Sequence, residues 1–322
     1  MQLQRLILCC LLFLLPTLTH AKIVFKSGSD IYVMDDDGSN LNVFTSRVPG
    51  SSVSWPVWSP DGKQIAFRRR RPIVPKQSPT YAIYIINSDG TSEFRVTEGD
   101  DDEYKPSWSP DGKYLVFTSD RLAIPGKGQK DVWTVNIATK ALRRLTRTVS
   151  LTTAVAWSPD GKYIAYRDDI SGHTTIHLMR ADGSRQHELV KGEGGHRRNF
   201  PRWSVDSQSV LYTEWNGHSE KVVIHNIKHN RRQVVDTPNN WLIHSVCFMG
   251  SKYLLMSAKR WNRENPGAEK YDLYRYHLVT GESVNLTNTP AVDDYMADWI
   301  SDDVLPVSPQ GKKKVTWGEL KQ

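Results

Sequence analysis

The sequence predicts an all-β fold: a six-bladed β-propeller of four-stranded blades, closed by joining N- and C-terminal strands in one blade. Three observations predict it. A W-S-P-D-G-K motif recurs at near-constant spacing, each copy is followed by the same series of short strands, and the two ends each supply part of one blade. Composition agrees with β structure, since 11 Trp and 13 Tyr outnumber 8 Phe, and large amphipathic rings favour strands and half-buried surfaces.

The repeat starts from an anchor. Trp58-Ser59-Pro60-Asp61-Gly62-Lys63 returns as Trp108-Ser109-Pro110-Asp111-Gly112-Lys113 and Trp157-Ser158-Pro159-Asp160-Gly161-Lys162. Weaker copies begin at Trp203, Phe248 and Trp299, so successive anchors lie 50, 49, 46, 45 and 51 residues apart. Ser-Pro-Asp-Gly is hairpin chemistry: Pro presets φ, Asp bonds its own backbone, and Gly takes positive φ. The Trp ends the innermost strand and has the volume to fill the wedge between blades. A short apolar strand follows each anchor (Ile65-Ala66-Phe67, Leu115-Val116-Phe117, Ile164-Ala165-Tyr166). After a variable loop comes an alternating strand such as Ala82–Ile86 or Asp131–Val135, then a turn such as Ser88-Asp89-Gly90. The unit closes on an ending such as Arg95-Val96-Thr97, Leu145-Thr146 or Leu286-Thr287.

The ends complete the ring. Ile23-Val24-Phe25 reads as the second strand of a blade, followed by Ile31–Met34, the Asp35–Gly38 turn and Val43-Phe44-Thr45. Met296–Trp299 supplies the missing inner strand, which removes free sheet edges. The tail from residue 304 has no assigned strand.

Residues 1–21 read as a secretory signal peptide, with Arg5, an apolar run from Leu6 to Leu15, and Thr19 and Ala21 at the −3 and −1 positions. Cleavage after Ala21 leaves a propeller domain over 22–322, and the chain is expected to be periplasmic or secreted. Three Cys exclude a disulfide-built fold, and only Cys247 lies beyond the leader. No later run is long and apolar enough to cross a membrane as a helix. The net charge of +7 bears on solubility and non-specific attraction. For an exported chain it does not imply nucleic acid.

These motifs resemble the propeller repeats of the TolB family, whose blades carry the same W-S-P-D-G-K pattern, D-G turn and L-T ending. The family has an α/β domain before its propeller. Here Lys22 leads straight into strand residues, so a propeller without that domain is expected. The resemblance also implies a channel mouth that receives a segment of a protein partner.

Topology places that mouth. The Ser-Pro-Asp-Gly hairpins share one face, here the hairpin face, while the long irregular loops share the other, the loop face. Variable loops on a rigid scaffold are where binding usually sits. The residues just before each inner strand should ring the loop-face mouth: Ser54, Glu103, Tyr104, Thr153, Arg198, Asn199, His244, Asp294 and Tyr295. Their mixture of acids, amides, rings and Arg suits an envelope protein or peptide, or a polar or acidic oligosaccharide. Tyr104 and Tyr295 would give contact area and Arg198 would pair an acidic group.

Other signals carry less. Arg68–Arg71 and the acidic run Glu98–Glu103 read as solvated charge able to attract each other across the loop face. The acidic run matches no calcium-loop pattern. No G-x-S-x-G, H-E-x-x-H, C-x-x-C or P-loop motif occurs. The reading is therefore a monomeric, non-catalytic binding propeller without cofactor or metal. The alternative is a carbohydrate-active enzyme, uronate lyase-like or a hydrolase, using His196, Arg198, His244, Glu103 and Asp294.

Overall fold

The computed structural model describes residues 21–45, 52–70, 80–123, 128–148, 150–170, 173–191, 196–216, 219–261, 269–289 and 292–303. Of the leader expected over 1–21 all but Ala21 lies outside them, as do the tail from 304 and Arg71.

The chain opens with β1 (Lys22–Ser27), β2 (Asp30–Asp35) and β3 (Asn42–Val43). Blade 1 is β4 (Val53–Trp58), β5 (Gln64–Arg70), β6 (Tyr81–Asn87) and β7 (Phe94–Arg95). Blade 2 is β8 (Glu103–Trp108), β9 (Tyr114–Ser119), β10 (Asp131–Asn136) and β11 (Leu142–Arg144). Blade 3 is β12 (Ala154–Trp157), β13 (Tyr163–Ile170), β14 (His173–Arg180) and β15 (His187–Val190). Blade 4 is β16 (Arg197–Trp203), β17 (Ser209–Trp215), β18 (Glu220–Asn226) and β19 (Arg231–Val235). Blade 5 is β20 (Trp241–Met249), β21 (Tyr253–Arg260), β22 (Asp272–His277) and β23 (Ser283–Asn285). Finally β24 (Asp294–Ile300) pairs antiparallel with β1, so blade 6 has the order β24-β1-β2-β3. The ring closes as the two chain ends predict.

The hairpin motif makes the bonds its residues imply. In blade 1 the Ser59 hydroxyl donates to Asp61 Oδ1 (2.7 Å) and accepts from the Gln64 N–H (2.9 Å). Asp61 Oδ1 also accepts from the Lys63 N–H (3.1 Å), and Gly62 takes φ +68°. The same set recurs around Asp111, Asp160 and Asp206. The closing Thr has a purpose too. Thr45, Thr97, Thr146 and Thr287 each accept, through Oγ1, the backbone N–H of a residue on the third strand of their blade. That pins the short outer strand to its neighbour.

The core is divided among the blade interfaces. One cluster joins Val57, Ala66 and Ile83 of blade 1 to Leu115, Phe117 and Trp133 of blade 2. Five further clusters fill the remaining junctions, including that of blades 5 and 6 (Phe25, Met34, Leu255, Leu273) and that of blades 6 and 1 (Val24, Ile31, Ile65, Phe67). The Asp-Gly turn of one blade rests on the ending of the blade before it. A Cβ on Gly38, at φ +90°, would lie 2.7 Å from the Leu286 carbonyl oxygen. Only glycine fits that approach. Cys247 is buried and free, and burial pushes its thiol up to about 12.

Candidate functional site at the channel mouth

The inner strands are not regular. Trp55, Lys105, Phe200 and Met296, each three residues before an anchor Trp, have φ between +47° and +60°. The strand ladders shift register at the same places. Three of these residues precede a proline, Pro56, Pro106 or Pro201, which has no N–H to give the ladder. Each bulge costs backbone strain, and those at Trp55, Lys105 and Phe200 bring their side chains together.

The result is an aromatic plug. Trp55 lies 5.0 Å from Phe200, 5.6 Å from Tyr104 and 6.2 Å from His244, between ring centroids. His244 continues the stack to Phe200 (5.5 Å) and Tyr295 (4.6 Å), and Tyr271 closes it (5.7 Å from Tyr295). Cations sit on the outer rings. Arg68 lies between Tyr81 (3.6 Å) and Tyr104 (4.6 Å), and Lys26 Nζ is 5.2 Å from the Tyr295 centroid. These are cation–π distances.

Strand alternation separates the expected ring residues into two sets. Glu103, Arg198 and Asp294 are buried between blades. Glu103 Oε1 accepts from Arg121 Nη2 (2.9 Å). Arg198 Nε donates to Glu214 Oε2 (2.7 Å), and its Nη1 to the Thr174 carbonyl (3.3 Å). Asp294 accepts from the Thr289 hydroxyl. Their neighbours Tyr104, Asn199 and Tyr295 are partly exposed. Ser54 is buried and pairs with Arg68 across the ladder. Thr153 Oγ1 accepts from Arg167 Nη1 (2.8 Å). His244 belongs to the plug, with Nδ1 buried and without a hydrogen-bond partner.

Several mouth residues escape a reading based on position before the strand. Trp55 and Phe200 share a column of the repeat with Lys105, and the Trp-Pro, Lys-Pro and Phe-Pro pairs mark it. Arg68 is an interblade clamp. Its Nε donates to the Glu103 carbonyl (2.6 Å) and its Nη2 to Asp102 Oδ1 (2.8 Å), while Lys130 Nζ donates to Asp102 Oδ2 (2.8 Å). The basic and acidic runs thus meet. Among the described residues, no three His, Cys, Asp or Glu side chains group as a metal site. Of the residues named for an enzymatic reading, His196 and Arg198 both face Glu214 (His196 Nδ1 at 3.7 Å), while Glu103, His244 and Asp294 belong to three other blades.

Several groups near the mouth have shifted ionisation, among them one acid and one base with opposite effects on stability. Glu220 Oε2 accepts the Ile243 N–H (3.2 Å), and burial pushes its carboxyl up to about 7. Burial, then Lys105 and Lys26, pushes His244 down to about 4. Between its ordinary 4.5 and about 7, Glu220 is ionised only when unfolded, so it lowers stability as pH rises. Between 6.5 and about 4, unfolded His244 takes a proton that the folded form refuses, so stability falls as pH drops. Glu220→Gln removes the first effect alone. Urea unfolding should find the variant more stable than the parent at pH 8, by up to about 3 kcal/mol, and level with it at pH 4. An equal difference at both pH values overturns the assignment.

Residues 122–235 match the family model described as the TolB beta propeller domain. TolB from Acinetobacter baumannii superposes with a TM-score of 0.67 at 19% identity, over 87% of this chain. The chain is a six-bladed β-propeller whose fold is similar to that of TolB, and its residues 122–235 match the TolB propeller domain. It spans 66% of the length of that TolB and 98% of a putative TolB from Agrobacterium tumefaciens (TM-score 0.64, 16% identity, 87% of this chain). The same TolB-like propeller also superposes on an oligogalacturonate lyase in complex with manganese, with a TM-score of 0.58 at 13% identity, over 82% of this chain and 73% of that one. At these identities the likeness is one of fold, and function has to be argued from the site. Among the described residues no helix is long and apolar enough to cross a membrane.

Proposed function

We propose that this TolB-like propeller is an exported, non-catalytic binding protein that seats a segment of an envelope protein at its loop-face mouth. The observation that carries the reading is the plug. Trp55, Phe200, His244, Tyr104 and Tyr295 form a continuous aromatic floor, with Arg68 and Lys26 stacked at its edge. Rigid rings contribute contact area at small entropic cost, and stacked cations attract acidic side chains. Tyr104, Asn199 and Tyr295 make the contacts, while Thr153 and His244 complete the wall. Ser54, Glu103, Arg198 and Asp294 hold the strands that present them. The function is rigid display, with six blades fixing the mouth.

The test is a crosslinking pull-down from an envelope extract, with the exported chain as bait beside a Tyr104→Ala/Asn199→Ala/Tyr295→Ala variant whose fold is verified by circular dichroism. The native bait should retain a partner that the variant loses by tenfold or more. An identical catch from both removes the mouth from the reading. The enzymatic alternative has one observation in its favour, the likeness to an oligogalacturonate lyase fold. Turnover of oligogalacturonate by the chain, abolished by His244→Ala, would replace the binding reading.

A further inference from the structure

The opposite end of the channel holds a separate feature. Val57, Ser107, Ala156, Arg202 and Asp298, each one residue before an anchor Trp, line a cavity of about 390 Å³ on the hairpin face. Its walls are four anchor tryptophans and three hairpin prolines. Two charged residues enter this lining. Asp298 Oδ2 already accepts the Trp58 N–H (2.9 Å). Arg202 is only partly buried; no side-chain hydrogen bond or contact ion pair of its guanidinium is found among the described residues, and its charge acts on the buried Asp298 carboxyl in the same lining. One layer further in, Lys105 is fully buried, and its Nζ has no hydrogen-bond partner. It lies 4.7 Å from the Phe200 centroid and 5.1 Å from that of Trp55.

The charges do not balance. Burial, then Arg202 and Arg167, disfavour the Lys105 ammonium, and Asp298 alone opposes them. An unpaired buried cation costs several kcal/mol unless it loses its proton or gains a partner. Arg202 lines the open cavity among four indoles, and Lys105 lies behind it, outside the lining. A planar carboxylate matches a free guanidinium through two parallel N–H bonds, and indole walls match an apolar body attached to it. The volume suits a ligand about the size of one or two residues.

We propose that the hairpin-face end of the channel is a carboxylate seat, in which Arg202 pairs with the carboxylate of an apolar ligand and Lys105 supplies the second positive charge. The seat opens at the opposite end of the channel from the loop-face mouth, and Lys105 lies between them against the Trp55 and Phe200 rings. The ligand is either the C-terminus of a polypeptide or a small free organic acid, since both present the same group.

Calorimetry on the full exported chain tests this with four probes: the tripeptide Ala-Ala-Phe as free acid, the same tripeptide as C-terminal amide, benzoate, and inorganic phosphate. At least one carboxylate should bind saturably, with the amide and phosphate at least tenfold weaker. Binding of both acids, or of the tripeptide alone, identifies a chain terminus as the source; benzoate alone identifies a small acid. Arg202→Gln and Lys105→Met should each weaken the bound acid tenfold or more, whereas Tyr104→Ala/Tyr295→Ala should leave it unchanged. Lys105→Met should also raise the melting temperature of the ligand-free protein, because it removes an unpaired buried cation. No carboxylate binding, equal binding of acid and amide, or affinity indifferent to Arg202→Gln overturns the proposal.

Discussion

Replacing Arg198 by alanine is expected to lower the unfolding free energy by about 3–5 kcal/mol, the usual cost of stranding one member of a buried ion pair. The side chains of Arg198 and Glu214 are 2% and 6% exposed, and their Nε–Oε2 contact is 2.7 Å. Without Arg198, Glu214 keeps only Arg232, which is 43% exposed, and His196 at 3.7 Å. The Thr174 carbonyl also loses its Nη1 donor. The double variant Arg198→Met/Glu214→Leu should recover most of the loss, because well-packed apolar side chains replace a buried pair at little cost. Urea unfolding of the parent and both variants measures this. An Arg198→Ala protein as stable as the parent, yet unable to retain a partner, would return Arg198 to the binding surface.

That outcome bears on what the sequence could reveal. Features set by local chemistry were readable. The Ser-Pro-Asp-Gly hairpins, the Thr endings that pin four of the outer strands and the shared sixth blade follow from residue types at fixed offsets. The direction of side chains at the mouth was not readable from position alone. Strand alternation sends one member of Glu103/Tyr104, Arg198/Asn199 and Asp294/Tyr295 inward between blades, and the bulges at Lys105, Phe200 and Met296 then reset the alternation. A one-residue shift exchanges the faces of a strand. The bulges did leave a mark, a bulky residue before proline in three repeats, but its meaning depends on the paired strand. Arg68 shows the second limit. Attraction between its basic run and the acidic run was legible, but not that Arg68 would be drawn out of solvent to bond Asp102 and the Glu103 carbonyl across the blade junction.

The anchor tryptophans carry unequal loads, and substituting them should reveal it. Trp108 is 7% exposed and packs in the cluster that joins blades 1 and 2. Its Nε1 donates to the Val57 carbonyl of the preceding blade (3.2 Å), so ring and hydrogen bond both cross the wedge. Trp157 occupies the same motif position, yet its Nε1 donates to Gly161 of its own hairpin (3.3 Å) and its ring is only partly buried. Trp108→Ala should therefore cost about 3–5 kcal/mol, as truncation of a large aromatic residue does when the cavity cannot collapse. Trp108→Phe keeps most of the wedge and should lose roughly 1 kcal/mol with the indole bond, plus a smaller packing loss. Trp157→Ala should cost less than half as much as Trp108→Ala. Trp203, whose Nε1 donates to the Ala156 carbonyl of the blade before it (3.0 Å), belongs with Trp108. Equal losses at Trp108 and Trp157 would mean that the hairpin, common to both, governs stability. The predicted inequality would place the stabilising contact at the blade junction, where a ring of six wedges has no edge from which to unravel.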